Sequence, residues 1–361
     1  MKHNPHSLTS RPALAALAVS AVGFALAAIN PVFAVSPVAD EKPGETAADE
    51  TADETTDKPA APELKKSEFT ADQVFNRVAE TLDGVDSLSC DISQTVMLSG
   101  QKFQAVGRYV QASGNRMRLE YRLFPIGALS AQDAELLALD SDAPDVSDRK
   151  VTGSLEQVSD GSVLWSKWVN GPQKQLTRRN IREIVEAVGD LPNYSAARSL
   201  QDLGVGGLQT LMSQLQVGMD FGEVREQPAG ETNLLVLAGR WNQKTRQEIF
   251  GLQDASAALP DYIPDYVRVY VDAAAGLPRR IQYLKKHPNP EESKVRPVVT
   301  LDLRNIKLNE TVSDDTFQFD RAADDDIKEQ DLTAQVIEGI KKVATPETPA
   351  APEQPPAAQK K

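Results

Sequence analysis

The chain has 361 residues, with 39 lysines and arginines against 52 aspartates and glutamates, and its formal net charge at pH 7 is −13. This balance argues against a surface that binds nucleic acid or anionic lipid. The single cysteine, Cys90, excludes an internal disulfide and a cysteine-based zinc site. Of the three histidines, only His287 lies outside the first six residues. We therefore expect a binding protein without metal or cofactor, and not an enzyme.

Residues 1–34 are typical of a secretory signal peptide. Lys2 and Arg11 precede a small, apolar segment at 13–29, and residues 32–34 resemble a cleavage site. The apolar run is shorter than the ~20 residues that a membrane-spanning helix needs. The sequence therefore predicts an exported protein whose mature form is soluble.

Two polar segments flank the predicted folded region. Residues 35–66 carry nine acidic residues and no aromatic residue, and such a segment buries too little apolar surface to order itself. Residues 345–361 contain five prolines, which favour an extended tail. We expect one folded domain at 67–320, followed by a partly helical extension at 321–344.

A helix is predicted to open the folded domain at 67–84. Its apolar residues recur at helical spacing, residues 70–73 match a capping box, and Gly84 ends it. Further helices are predicted at 179–188 and 200–215, between strands. These inserted helices are candidates for a cover over the sheet.

Alternating apolar and polar residues predict the strands. In residues 116–123 every second side chain is apolar, which is typical of a half-buried strand. Asp160 and Gly161 predict a tight hairpin. In the last strand the apolar phase changes near Arg304 and Asn305, which indicates a bulge. About ten or eleven strands joined by hairpins predict an α+β fold with one large, curled antiparallel sheet.

Five short motifs follow one another in a characteristic order, at residues 87–94, 107–110, 160–165, 272–278 and 315–319. Together they resemble the periplasmic outer-membrane lipoprotein carrier superfamily (LolA/LolB-like), which includes lipoprotein-sensing relatives. The resemblance covers residues 67–320. It implies an incomplete barrel of about eleven antiparallel strands closed by helices. It also implies an apolar cavity that receives the acyl chains of lipoproteins, with delivery proteins at the inner and outer membranes.

The sequence departs from this family in three places. One is the closing motif, which lacks the Pro-x-Gly that usually follows it and has residues 320–323 (Asp-Arg-Ala-Ala) there. Carriers of this type have an Arg-Pro pair after the second strand, whose arginine helps to latch the lid, whereas this chain has Ser113 and Gly114. Arg116 and Arg118 are the candidates to replace that arginine. An acidic insertion at 125–150 stands where the family has a short connection, and a solvated excursion or a docking loop would both fit it.

Two functions are compatible with this reading: a carrier chaperone that transports lipoproteins or another lipid, and a non-catalytic envelope sensor or scaffold of the same fold. An apolar cavity above ~300 Å³ favours the carrier, whereas a filled interior favours the scaffold. The candidate cavity residues, which would otherwise be packed core, are apolar positions on the strands and lid: Met117, Leu119, Tyr121, Leu164, Trp165, Leu208, Leu211, Met212, Leu235 and Leu237.

Overall fold

The computed structural model describes residues 64–98, 101–125, 151–189, 191, 203–230, 232–254, 256–287, 295–324 and 326–344. The predicted signal peptide, most of the linker, residues 126–150 of the acidic insertion and the tail at 345–361 lie outside these ranges. The described residues form a single sheet of fourteen strands with five helices. The fold is therefore α+β, as predicted.

The first half of the chain contains these elements: β1 (Lys65–Lys66), α1 (Ala71–Asp83), β2 (Ser87–Leu98), β3 (Gln101–Ala112), β4 (Arg116–Phe124), β5 (Gly153–Asp160), β6 (Val163–Asn170), β7 (Gln173–Asn180) and α2 (Ile181–Val188). The capping box of α1 is confirmed, since Thr70 Oγ1 accepts the Gln73 N–H at 3.3 Å and Gln73 Oε1 accepts the Thr70 N–H at 2.8 Å.

The second half contains α3 (Gly207–Gly218), β8 (Met219–Phe221), β9 (Arg225–Ala229), β10 (Thr232–Trp241), α4 (Gln243–Glu248), β11 (Tyr266–Asp272), β12 (Pro278–Lys286), β13 (Val295–Leu308), β14 (Glu329–Asp331) and α5 (Thr333–Ala344). Short 3-10 turns at Asp314–Phe317 and Ala322–Asp324 lie between β13 and β14.

The sheet is continuous but unclosed. Its strand order is β1-β9-β10-β11-β12-β13-β2-β3-β4-β5-β6-β7-β14, and β8 pairs with β10 beside β9. The pairings are antiparallel, apart from the parallel pair of β14 and β7. Because β13 pairs with β2, the two halves of the chain meet in the middle of the sheet. This is the arrangement of an incomplete barrel.

One face of the sheet packs against the helices, and we call it the inner face. On β4 the inner face carries Met117, Leu119, Tyr121 and Leu123, all buried, while charged residues alternate on the outer face. These side chains share one core cluster with apolar residues of α1, α2, α3 and α5. The alternation of apolar and polar residues therefore predicted correctly which face of β4 is buried.

The bulge predicted in the last strand is confirmed. The register between β13 and β2 shifts between Arg304 and Lys307, and Asn305 has a φ of 49°. Asparagine tolerates this left-handed conformation better than most residues. Its side-chain Nδ2 also donates to Asp91 Oδ2 at 2.7 Å, which fixes the bulge to the neighbouring strand.

Three boundaries differ from the predictions. Lys65 and Lys66, assigned to the disordered linker, form β1 and pair with β9. Arg179, predicted as the start of a helix, lies in β7, and α2 begins two residues later behind the capping residue Asn180. The second inserted helix runs from 207 to 218 instead of 200 to 215. The sheet also has fourteen strands instead of about eleven, because β1, β8 and β14 have only two or three residues and carry no readable alternation.

A segment that we call the C-terminal strap, residues 309–324 together with β14, crosses the outer face from β13 to β7. Asn309 Oδ1 accepts the Asp86 N–H at 2.9 Å, and Phe317 is buried against Val110 and Ala112. Farther along, Lys167 pairs with Asp324 at 2.7 Å. After β14, α5 packs against α2. The strap thus connects the middle of the sheet to its edge.

Candidate functional site

The inner face gathers nine of the ten predicted cavity residues into one packed cluster. None of the nine is more than 7% exposed, and they come from both halves of the sheet and from α3: Met117, Leu119, Tyr121, Leu164, Leu208, Leu211, Met212, Leu235 and Leu237. Their side chains contact one another and the helices. The interior formed by these residues is therefore closed.

Trp165 is the exception, and its assignment to the cavity is wrong. It lies on the outer face, where its ring stacks on Phe319 of the strap with centroids 5.2 Å apart and the Arg178 guanidinium lies 5.8 Å from its centroid. Leu164, the preceding residue on the same strand, is in the core. Neighbouring side chains of a strand point to opposite faces, and the two residues could therefore not line the same cavity.

Helix α3 covers part of the inner face as an amphipathic lid. Leu208, Leu211, Met212 and Leu215 are buried beneath it, and the opposite side carries polar residues and the exposed Val217. The helix also packs against α1. Gly204 and Gly207 precede and open it with φ of 75° and 68°, a conformation that residues with a side chain rarely adopt. A glycine-rich entry thus joins the lid to the preceding chain.

The start of α3 is held by Gln111 of β3. Its Oε1 accepts the Leu208 N–H at 3.3 Å and the Tyr109 hydroxyl at 3.0 Å. The N-cap residue, Gly206, makes no side-chain capping hydrogen bond. A neutral amide of the sheet therefore supplies the cap that the helix itself lacks.

Arg116 and Arg118, the proposed substitutes for the latch arginine, contact the strap and not the lid. Arg116 pairs with Asp314 at 2.5 Å and its guanidinium lies 5.2 Å from the Phe317 ring centroid. Arg118 pairs with Glu156 at 2.6 Å and donates to the Thr316 carbonyl at 3.3 Å. Both lie on the outer face, and the hypothesis that either latches the lid is wrong.

Within the described part of the chain, the buried side chains of Gln94 and Tyr121 lack hydrogen-bond partners. Gln94 of β2 is 1% exposed, and neither its Nε2 nor its Oε1 is bonded; the Tyr121 hydroxyl is also unbonded. Burial raises the pKa of Tyr121 well above its ordinary value, and its hydroxyl therefore stays protonated. An unsatisfied buried polar group costs ~1–3 kcal/mol. The interior therefore offers a donor and an acceptor to a group that enters it.

The inner face of β5, β6 and β7 carries a group of polar residues that we call the polar sector: Gln157, Ser159, Ser166, Thr177 and Arg179, all buried. Gln157 Nε2 donates to Ser166 Oγ at 3.2 Å. In contrast, the inner faces of β10 to β13 carry apolar residues such as Val269, Ile281 and Leu301. The buried polar residues of the inner face thus concentrate on β5 to β7, where they lie among apolar residues such as Leu155 and Leu164.

The two described clefts of about 400 Å³ each lie outside this interior. One lies between β2, β3, β4 and the strap, and the other along β10 to β13; both are lined largely by polar and charged residues. Within the described ranges no helix is long and apolar enough to span a membrane, and no group of three or more histidine, cysteine or acidic side chains forms a metal site. His287 directly follows β12.

No family model and no curated protein matches the chain, but solved structures do. A domain described as an outer-membrane lipoprotein-sorting protein, from Vibrio parahaemolyticus, aligns with 69% of this chain and 97% of its own length, at 8% identity and a TM-score of 0.28. A LolA superfamily protein from Nitrosomonas europaea aligns over 70% and 99%, at 12% identity and a TM-score of 0.23.

MucB in its complex with MucA aligns over 70% of this chain and 60% of its own, at 13% identity and a TM-score of 0.29. The solved structures to which the chain is similar thus include proteins described as LolA superfamily and lipoprotein-sorting proteins, and MucB.

Proposed function

We propose that the protein is a non-catalytic periplasmic carrier that binds the acyl chains of lipoproteins or another lipid against the inner face, with α3 as the lid. It would act in outer-membrane lipoprotein sorting, between delivery proteins of the two membranes. The observation that supports this proposal is the way in which α3 covers the inner face. A twelve-residue helix with a glycine-rich entry and a cap from a single side chain lies over a large apolar face.

The free energies of lid opening and acyl-chain burial favour the replacement of α3 by acyl chains on the inner face. Exposing the four buried side chains of α3 would cost about 6–12 kcal/mol, at ~1.5–3 kcal/mol each. A ligand with two acyl chains brings about thirty methylene groups, and at ~0.8 kcal/mol each their burial contributes on the order of 24 kcal/mol. Acyl chains can therefore replace the lid, and a closed interior is the state expected without cargo, because an empty apolar cavity forfeits packing.

The unbonded polar groups of the interior also suit an acyl ligand. Acyl chains are joined to lipoproteins and glycerolipids through ester or amide groups, whose carbonyl oxygens accept hydrogen bonds. Gln94 Nε2 and the Tyr121 hydroxyl are donors without acceptors in the closed state. A bound ester group would supply what the core leaves unsatisfied.

Native mass spectrometry of the chain from residue 35 onward, purified from periplasm without detergent, tests this function. We expect a retained lipid or acylated peptide at near-stoichiometric level, or uptake of added diacylglycerol or lipopeptide. The variant Val217→Ala should bind lipid as the wild type does, because Val217 is 73% exposed on α3 and faces away from the interior. A wild-type protein that carries no lipid and takes none up would contradict the carrier function.

A second function, an envelope sensor or scaffold that binds protein partners, is favoured by the closed interior. Nine predicted cavity residues are packed against one another, and by the criterion of cavity size this arrangement fits a module without cargo. Crosslinking in the periplasm separates the two functions. Stoichiometric capture of an envelope protein by lipid-free chain would support the scaffold, whereas loss of the captured protein on lipid loading would indicate that lipid binding regulates it.

A further inference from the structure

Arg179 is a buried cation that no carboxylate of the described residues pairs with. It lies on the inner face of β7, opposite Leu164 of β6, and is 6% exposed. No carboxylate or other acceptor of the described residues contacts its guanidinium, and burial is the only influence on its pKa, which falls to about 10. At neutral pH the side chain therefore remains charged.

The other arginines of this region are paired. Arg178 lies near Glu329 and Asp331 of β14, and Arg118 binds Glu120 and Glu156. A buried charge without a partner costs several kcal/mol and is rarely found unless it binds something. Among the described residues, Arg179 is therefore the candidate position for binding an anion.

The neighbours of Arg179 are suited to the polar end of a ligand. Thr177 lies two residues away on the same face of β7, and Ser166 lies opposite Thr177 on β6. The two residues are each 5% exposed. In the closed state the Thr177 hydroxyl donates to the Ser166 carbonyl at 3.5 Å and would have to turn towards a ligand. Ser166 Oγ accepts from Gln157 Nε2, and its own hydrogen is the donor that a phosphate or carboxylate oxygen beside the guanidinium would accept.

The distance to the apolar side also fits an amphiphile. Adjacent strands are ~4.8 Å apart, so Leu119 of β4 is about 14 Å from β7 along the sheet, and the apolar Leu155 and Leu164 lie on the inner face between them. A ligand with its polar end at Arg179 would reach the apolar residues of β4, β3 and β2 with its acyl chains. Charged and apolar groups thus lie within the length of one amphiphile.

We propose that Arg179 binds the anionic group, a phosphate or a carboxylate, of an amphiphile whose acyl chains lie on the apolar side of the inner face. This inference rests on the proposed carrier function and specifies the class of its ligand. The anion would come from a phospholipid headgroup or from a free fatty acid. Arg179, Ser166 and Thr177 would hold it.

Binding of paired lipids tests the inference. Dipalmitoyl phosphatidic acid is compared with dipalmitoyl glycerol, and palmitate with hexadecanol, by native mass spectrometry and displacement of a fluorescent fatty acid. Wild-type protein should bind the anionic member of a pair about tenfold or more tightly, because a hydrogen bond between charged groups raises the affinity by roughly that factor. A preference within the first pair alone identifies a phosphate site, and one within the second alone a carboxylate site.

Arg179→Gln should abolish the preference while binding of dipalmitoyl glycerol persists, and Arg179→Lys should keep part of it. Arg182→Gln is the control, because Arg182 is an exposed residue of α2 three positions away. Equal binding of both members of each pair by wild-type protein would overturn the inference and leave the carrier function intact. Binding of no lipid at all would overturn both.

Thermal unfolding gives an independent readout. Ligand-free Arg179→Met should unfold at a higher temperature than wild type, because the variant removes an unpaired buried charge. A variant that is less stable and binds both lipid pairs with the wild-type preference would show that Arg179 has a structural role only.

Discussion

Cys90 shows how the interior changes the chemistry of a single side chain. It lies on β2 among apolar residues and is 3% exposed. Burial, together with the nearby Asp91 carboxylate, raises the pKa of the thiol to about 12. Because the thiolate is the reactive form, Cys90 is a small core residue and not a nucleophile.

We expect Cys90 to resist alkylation in the native protein. A rise in pKa from 9 to about 12 lowers the thiolate fraction on the order of a thousandfold at pH 8. Iodoacetamide labelling followed by mass spectrometry, with and without urea, measures the effect. Rapid labelling without urea would mean that β2 opens locally.

Gln94 carries a residue-scale prediction that links stability to binding. Gln94→Met keeps the volume but removes an amide that has no partner, and we expect it to stabilise the ligand-free protein by about 1–3 kcal/mol. Its affinity for lipid esters should fall several-fold. Urea unfolding and lipid titration measure the two effects, with Gln104→Met on the outer face of β3 as control. A less stable variant would mean that Gln94 has a structural role in the closed state.

At the scale of elements, the turn between β11 and β12 depends on Asp272. Its Oδ1 accepts the N–H groups of Ala274 and Ala275 at 3.0 and 2.9 Å, and Oδ2 pairs with Arg279 at 3.2 Å. Burial would by itself raise the pKa of this carboxyl, but these hydrogen bonds and the ion pair lower it overall. The acidic residue of the 272–278 motif is therefore a cap for the turn.

Asp272→Ala should destabilise the protein by about 2–3 kcal/mol at pH 7. Because the pKa of Asp272 is lower in the folded state, its contribution is present above the ordinary aspartate pKa and is lost as the pH falls through the folded value. Urea unfolding at neutral and acid pH should therefore show a difference that shrinks in acid. Asp261→Ala, at an exposed position, is the control, and a difference unchanged in acid would contradict the assigned role.

The lid yields a second prediction at this scale. Gln111→Leu removes the only side-chain hydrogen bond found for the start of α3 within the described chain, and the Leu208 N–H loses its acceptor. We expect hydrogen exchange in the first turn of α3 to become about tenfold faster, and lipid uptake to speed up. Exchange in β12 should not change. Exposed Gln209→Ala is the matched control on the same helix; unchanged exchange in Gln111→Leu would mean that packing alone holds the lid.

At the scale of the whole molecule, the strap holds the sheet together. It covers Val110 and Ala112 with Phe317, and its strand β14 occupies the edge of β7. An uncovered strand edge with apolar neighbours is a template for association. The C-terminal residues therefore protect the sheet and are part of the fold.

Truncation after Leu308 removes the strap and α5, and should lower the unfolding temperature and cause self-association, because it exposes the apolar patch, the β7 edge and the core residues that α5 covers. Truncation after Ala344 removes only the proline-rich tail and should leave both properties unchanged. Size-exclusion chromatography and thermal unfolding of the two truncated proteins test this. A monomeric, fully stable chain ending at Leu308 would show that the strap contributes little.

Much of the fold follows from local patterns. The Thr70 and Gln73 capping box, the alternation of β4 and the Arg304–Asn305 phase change were read correctly because each depends on a few neighbouring residues. The candidate site was predicted less completely. Trp165 was assigned to the wrong face, and Gln94, Gln111 and Arg179 were missed, although the pattern places Gln94 and Arg179 on the inner face.

The amino-acid sequence by itself determined the α+β class and the apolar face of strands with clear alternation such as β4, since propensity, capping and period-2 alternation act over a few residues. The tertiary structure decided where the strap runs, which residue holds the lid and that no described carboxylate pairs with Arg179. These features depend on contacts between segments far apart in the chain. A buried charge and a solvated one have the same sequence signature, and only packing determines which of them a residue becomes.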